Sequence, residues 1–273
     1  MVRSNPARPF YTRLLISTGI SSIALLAASQ TVAAPALEEV LVTAQKRSES
    51  AQDIPIAVTG VTADMLDKLG FENANDVSAQ VPNMQVSGPY GDVQPIFSIR
   101  GVSMSDYSSN QASPIGVYVD EAYLAPVYSH GASFFDIERL EVLRGPQGTL
   151  YGKNTTGGAI NIITRTPGFG GEANSFIKAG AGSYGATSIE GGTERELIPD
   201  VLAARIAGSM KRDDGYVNVV GQDTNAAQTD FKGLRLGINW LISDKIDAVL
   251  KITQSKNDAL STPPRNEART DLR

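Results

Sequence analysis

The sequence contains no cysteine, a single histidine (His130) and a single tryptophan. Without cysteine there is no disulfide framework, no thiolate metal site and no thiol nucleophile. One histidine gives no basis for a histidine-rich metal centre, and no metal or cofactor is expected. Basic residues are also in deficit, 24 against 29 acidic ones, for a net charge of -5. No dense Lys/Arg run occurs, which argues against a nucleic-acid partner, because phosphate affinity comes from clustered cations. Long apolar runs are missing too: the longest uncharged stretch, Leu14 to Ala28, has about 15 residues, short of the ~20 that a membrane-spanning helix needs. What remains is 41% hydrophobic and 19% charged, the balance of a folded chain.

The chain opens on an address. Arg3, Arg8 and Arg13 precede the apolar stretch with no acid among them, and the stretch runs into the small residues Thr31-Val32-Ala33-Ala34. This is the layout of a secretory signal peptide over residues 1–33, with cleavage expected after Ala33 because Pro35 disfavours a cut one residue later. The mature protein is expected to be exported and acidic.

Three compositional zones follow. Residues 34–53 read as a flexible leader holding one extended segment, Glu38-Glu39-Val40-Leu41-Val42-Thr43-Ala44. Residues 54–167 mix short strands with two short helices, the pattern of a small α+β domain. Strands are expected at Ile54 to Thr59, Ile96 to Arg100, Gly116 to Tyr123, Arg139 to Leu143 and Ala159 to Thr164. Thr62 is placed to cap a helix that Gly70 ends, and Asn75 to cap a second that Pro82 stops.

From residue 168 to 273 apolar and polar residues alternate in segments of about ten, as in transmembrane β-barrels. Leu202, Ala204, Ile206, Gly208 and Met210 oppose Arg205, Ser209 and Lys211. Leu234, Leu236, Ile238, Trp240 and Ile242 oppose Arg235, Gly237 and Asn239. Ile246, Ala248, Leu250 and Ile252 oppose Asp247, Lys251, Thr253 and Ser255. A soluble β-sandwich alternates in the same way, so the strands alone leave both architectures open. The connections Ser183-Tyr184 and Ser243-Asp244-Lys245 read as tight turns and Asp213 to Phe231 as a long outer loop. This zone holds about five strands, whereas the smallest single-chain bacterial barrels have about eight. The expectation is therefore the N-terminal portion of a longer protein: an α+β domain followed by the first antiparallel strands of an incomplete transmembrane β-barrel.

The ordered motifs carry a resemblance. After the leader segment come Ser98-Ile99-Arg100-Gly101, Gly116-Val117-Tyr118-Val119-Asp120-Glu121 and Arg139-Leu140-Glu141-Val142-Leu143-Arg144-Gly145-Pro146-Gln147-Gly148-Thr149-Leu150-Tyr151-Gly152. The run Asn154-Thr155-Thr156-Gly157-Gly158-Ala159-Ile160-Asn161-Ile162-Ile163-Thr164 follows. In this order, over Glu38 to Thr166, the chain resembles the TonB-dependent receptors of the Gram-negative outer membrane. The resemblance implies a plug domain that fills a barrel of about 22 strands. It implies that Glu38 to Ala44 is a TonB box, a strand that adds to the sheet edge of TonB, the energy-transducing periplasmic partner. It implies that Arg100, Arg139 and Arg144 contribute to contact between plug and barrel, pairing with acids on the wall. Tyr90 and Tyr107, in outward polar loops, become candidate ligand contacts.

The function expected is TonB-dependent uptake of a scarce ligand across the cell outer membrane. A ferric siderophore is the leading expectation; cobalamin, haem, carbohydrate and plant-derived compounds stay open. Outer-membrane lipid is the surrounding partner, and no catalytic residue is expected. Two other classes compete: a barrel-less periplasmic binding or signalling module, and a secreted β-sandwich hydrolase. No nucleophile, base and acid set stands out around His130, though a carboxylate-pair glycosidase escapes that objection. Gly180-Ala181-Gly182-Ser183-Tyr184-Gly185 matches a dinucleotide fingerprint, but the residues after it read as a strand where a helix is required. Asp120-Glu121 is read as lying late in a strand, and Asp213-Asp214-Gly215 as a turn.

Overall fold

The computed structural model describes residues 41–43, 46–47, 49–71, 73–88, 94–105, 108, 111–131, 134–170, 173–218 and 225–258. The signal peptide, Glu38 to Val40, Ala44, Tyr90 and Tyr107 lie outside the described residues. The leader contributes β1 (Leu41–Val42), paired antiparallel with β2 (Glu49–Ser50) in the register Leu41↔Ser50, Val42↔Glu49.

Then come β3 (Val58–Thr62), helix α1 (Ala63–Leu69) and helix α2 (Ala74–Val77). The caps of α1 match its sequence: the Thr62 side chain accepts from the Met65 amide, and Gly70 ends the helix in a left-handed conformation (φ 66°). Of its apolar residues Met65, Leu66 and Leu69, only Leu66 is buried, while Leu69 points out. Asn73, not Asn75, caps α2. Asn73 Oδ1 accepts from the Asp76 amide and Asp76 Oδ2 accepts from the Asn73 amide, a reciprocal box that satisfies two otherwise unpaired donors. The strand expected at Ile54 to Thr59 forms four residues later, because Thr59 to Thr62 must reach the register opposite Val142 to Arg139.

β4 (Met84–Ser87), β5 (Ile96–Ile99) and β6 (Val102–Ser103) make a small antiparallel sheet, turned at Arg100 and Gly101, both with positive φ. β7 (Ile115–Val119) and β8 (Ala122–Tyr123) form a hairpin, β9 (Ile137–Arg144) leads into the single-turn helix α3 (Gly148–Tyr151), and β10 (Gly158–Thr164) follows. Asp120 and Glu121 are not late strand residues. They are the two left-handed residues of the β7–β8 turn, φ 46° and 69°, a geometry that short polar side chains tolerate better than apolar ones. The main sheet runs β3-β9-β10-β7-β8, with β10 and β7 parallel and the other pairs antiparallel. Its strands are apolar on both faces, and Leu140, Val142, Leu143, Ile160, Val117 and Ile115 are essentially inaccessible.

The last zone is one antiparallel sheet of five strands: β11 (Ser175–Ala181), β12 (Thr187–Ile198), β13 (Leu202–Asp213), then, beyond a small β14 (Val217–Asn218) and β15 (Asn225–Ala226) pair, β16 (Thr229–Ser243) and β17 (Ile246–Asn257). The described strands do not close a barrel. The expected alternation is reproduced: Ile206, Leu236 and Ile252 form one cross-strand row on the exposed face, and Leu202, Trp240 and Ala248 another. From Leu202 to Met210 this apolar band is roughly 20 Å high, given ~3.4 Å per residue and a barrel-like tilt. Arg205, Ser209 and Arg235 are buried on the other face, against the α+β domain. The tight Ser183-Tyr184 turn lies at the same end as the long loop, since the Asp214 amide donates to the Tyr184 carbonyl and Tyr184 meets Tyr216 ring to ring; the Pro199–Asp200 and Asp244–Lys245 turns share the opposite end. Gly180 to Gly185 closes the β11–β12 hairpin and leads into a strand, as its glycines suit.

Candidate functional site

Two sets of contacts stand out, the junction between the α+β domain and the inner face of the five-stranded sheet, and the dock that holds the leader strand. At the junction, Asp136 precedes β9 with a positive φ of 53°. Its carboxylate takes Arg205 Nε on both oxygens, at 3.0 and 3.1 Å, and Arg205 Nη1 reaches Glu194 at 3.0 Å. The Arg205 and Asp136 side chains are 2% and 1% exposed, so this ion pair sits where water cannot replace either partner. Backbone closes the same knot: the Asp136 amide donates to Glu190 Oε1 at 2.9 Å. A second pair lies farther along the sheet, where Lys251 Nζ donates to Asp120 Oδ1 (3.0 Å) and to the Thr164 carbonyl (2.8 Å) and hydroxyl (3.0 Å). Asn239 Nδ2 donates to the Pro167 carbonyl. A third inward cation, Arg235, donates from Nη1 to the carbonyls of Phe135 and Asp136. Gly233 makes this approach possible, because a Cβ there would stand 2.8 Å from a ring carbon of Phe135.

At the dock, Val42 is completely buried in a cluster with Ile54, Leu143, Tyr151 and Ala159, while Leu41 is half exposed. Thr43 donates its amide (2.7 Å) and hydroxyl (3.1 Å) to Glu141 Oε1, which also accepts Arg139 Nε at 2.9 Å. Arg139 Nη2 donates back to the Thr43 hydroxyl at 3.2 Å. Glu141 is fully buried, and Asn161 Nδ2 donates to Tyr151 Oη at 2.6 Å beside it. Burial pushes the Tyr151 phenol up to about 12, against the Asn161 hydrogen bond, so it is a neutral hydroxyl at pH 7. Removing the carboxylate by Glu141→Ala should strand the Thr43 amide and the Arg139 guanidinium, a loss of about 1–3 kcal/mol. Amide exchange at Leu41 to Thr43 is expected to speed up roughly tenfold or more; unchanged exchange would show that Glu141 does not hold the strand.

The three arginines expected at a plug–barrel contact are separated by the structure. Arg139 faces the leader through Thr43 and Glu141 and belongs to the dock. Arg100 lies against Gly145, and Arg144 donates to the Pro82 carbonyl at 3.5 Å, with its Nε buried and unpaired. No acid among the described residues pairs with Arg100 or Arg144. The junction that does form has the opposite polarity, with acids on the α+β domain (Asp136, Asp120) and cations on the sheet (Arg205, Lys251). The alternation placed Arg205 and Lys251 on the inner face, yet nothing in the sequence paired them.

An α+β domain held by buried ion pairs against an antiparallel sheet whose far face is apolar is the arrangement expected from the sequence for a plug domain and the opening strands of a barrel. Comparison with known proteins agrees. Residues 50–159 match the TonB-dependent Receptor Plug Domain. An iron-regulated outer membrane virulence protein of Vibrio cholerae serotype O1 is 34% identical over 140 residues, 47% of this chain and 20% of that protein. The pesticin receptor of Yersinia pestis is 35% identical over 130 residues, 46% of this chain and 19% of its own length. Among solved structures, the ferric yersiniabactin uptake receptor of Yersinia pestis aligns with a TM-score of 0.70 at 22% identity, over 78% of this chain and 33% of that one. The fold class expected from the sequence is thus borne out, and residues 50–159 are similar to the plug domain of the TonB-dependent receptors. The chain's aligned stretch is about a fifth of the length of these sequence relatives.

Proposed function

We propose that the protein is an outer-membrane receptor that takes up a scarce ligand, a ferric siderophore, by an import step driven through TonB. The observation that carries this reading is the plug itself, seated by its acids on the cationic inner face of strands whose outer face is an apolar band. An apolar outer face suits lipid, and an inner face filled by a separate domain suits a gated lumen. The names of the sequence relatives, an iron-regulated outer membrane protein and a pesticin receptor, point the same way.

In this reading Glu38 to Ala44 is the TonB box. Its described part is already a strand, and β-augmentation by TonB would exchange the β1–β2 hydrogen bonds for bonds to a partner sheet. Capture then requires Val42 to leave its pocket, at about 1.5–3 kcal/mol for a fully buried aliphatic side chain. Force applied at Thr43 would act first on Glu141, at the middle of β9. Arg100 and Arg144 are proposed to meet acids on wall strands other than the five described, which would satisfy the buried Arg144 Nε. Tyr90 and Tyr107 stay proposed as ligand contacts on the outward side. The experiment is accumulation of radiolabelled ferric siderophores by iron-limited cells, with and without the gene and with and without TonB. Accumulation that requires both supports the proposal; a siderophore panel that enters equally without the gene would refute it.

A further inference from the structure

A cavity of about 620 Å³ lies between the plug and the wall, toward the end that carries the long loop. That volume falls within the ~300–1,000 Å³ typical of small-molecule sites. Leu124, Phe134 and Ile162 line it from the plug and Phe231 from the wall, and the single formal charge among its lining residues is Arg235. His130, also in the lining, adds no charge at pH 7. Burial lowers its pKa, against the hydrogen bond that Nε2 donates to the Leu124 carbonyl at 2.9 Å.

Arg235 differs from its neighbours in the way it is satisfied. Three other cations of the sheet each hold a carboxylate at this junction, Arg205 with Asp136 and Glu194, Lys251 with Asp120, and Lys178 with Asp67. Arg235 is 6% exposed, and all its bonds go to neutral oxygens: Nε to Thr253 Oγ1 at 3.0 Å and Nη1 to the Phe135 and Asp136 carbonyls at 2.8 and 3.3 Å. Its guanidinium lies over the Phe135 ring, 4.3 Å from the centroid. Among the described residues no carboxylate pairs with it, and no group accepts from Nη2. Asp136, Asp120 and Glu190 act on this guanidinium only at longer range, so its second terminal nitrogen keeps its bonding capacity, and it borders an apolar space large enough for a guest.

We propose that this cavity is a binding site for a small amphipathic anion, with an aromatic or aliphatic body against Leu124, Phe134, Ile162 and Phe231 and a carboxylate on Arg235 Nη2. The site rests on this geometry and not on the transport reading, so binding alone tests it. The two N–H groups of Nη2 supply charge-assisted bonds, the stronger kind, in a place where water competes poorly. The fork is already oriented by Thr253 and two backbone carbonyls, so little ordering is needed on binding.

The test is titration of the purified gene product with 2-naphthoate and with its uncharged counterpart 2-naphthamide, which differ at one functional group. Naphthoate is expected to bind at least about tenfold more tightly, the worth of one hydrogen bond to a charged group. Arg235→Gln should remove that preference and leave naphthamide binding unchanged. Should Arg235→Gln unseat the plug, Leu124→Trp gives the same information with Arg235 intact, because it fills the cavity and should abolish binding of both probes. Equal affinity for the two probes, no binding of either to the native protein, or full naphthoate binding by Leu124→Trp would each overturn the proposal.

Discussion

Arg205→Ala is expected to lower the stability of the plug–wall junction by about 3–5 kcal/mol, the usual consequence of removing one partner from a buried ion pair. The loss is large because two carboxylates, Asp136 and Glu194, share this one guanidinium and Asp136 has almost no access to water. The same asymmetry makes Asp136→Ala milder, since Arg205 would keep Glu194. Replacing both partners with apolar residues, as in Arg205→Met with Asp136→Leu, should recover much of the loss, because neither desolvated charge then remains. Urea unfolding of the gene product in detergent micelles measures all three. A shift below about 1 kcal/mol for Arg205→Ala would place the pair in the class of solvated surface bridges and contradict the junction described above.

The second large effect is functional. Val42→Pro is expected to reduce TonB-dependent uptake to the level of cells without TonB while ligand binding to the same cells persists. Proline removes the backbone donor of the residue that pairs with Glu49, and its fixed φ works against edge pairing with any partner strand. It also withdraws a side chain that is wholly buried in the dock. The split between uptake and binding separates this outcome from simple misfolding, which would abolish both. Uptake equal to the native level would remove the TonB-box assignment.

Local features of the fold were legible from residues. Thr62 and Gly70 mark the ends of α1 because capping is decided within one turn of chain. The faces of β13 and β16 follow from strict alternation, which a barrel wall imposes on every strand. The plug was legible through motifs such as Arg139 to Gly152, whose order along the chain is specific where any single tetrapeptide is not. What could not be read was pairing at a distance. Asp136 and Arg205 are 69 residues apart and Asp120 and Lys251 are 131 apart, and a charge does not announce which opposite charge it will meet. The turn at Asp120 and Glu121 is not legible, because a two-residue turn between short strands gives the same apolar pattern as one longer strand. Asn73 and Asn75 are equivalent caps by residue type, and the reciprocal bonding of Asn73 with Asp76 that decides between them depends on where the helix begins. Gly233 carried no signal at all until Phe135 stood against it.

The central claim is that the leader strand is what an energised partner grips, and the absence of cysteine from this chain makes the claim directly testable. A single Leu41→Cys substitution places one thiol on the exposed side of β1, next to the buried Val42. Disulfide trapping in membranes against single-cysteine variants along the sheet edge of TonB should give a cross-linked product. The yield should collapse when Val42→Pro is added. No product from Leu41→Cys or from Thr43→Cys with any TonB position, in cells that import the ligand, would contradict the account.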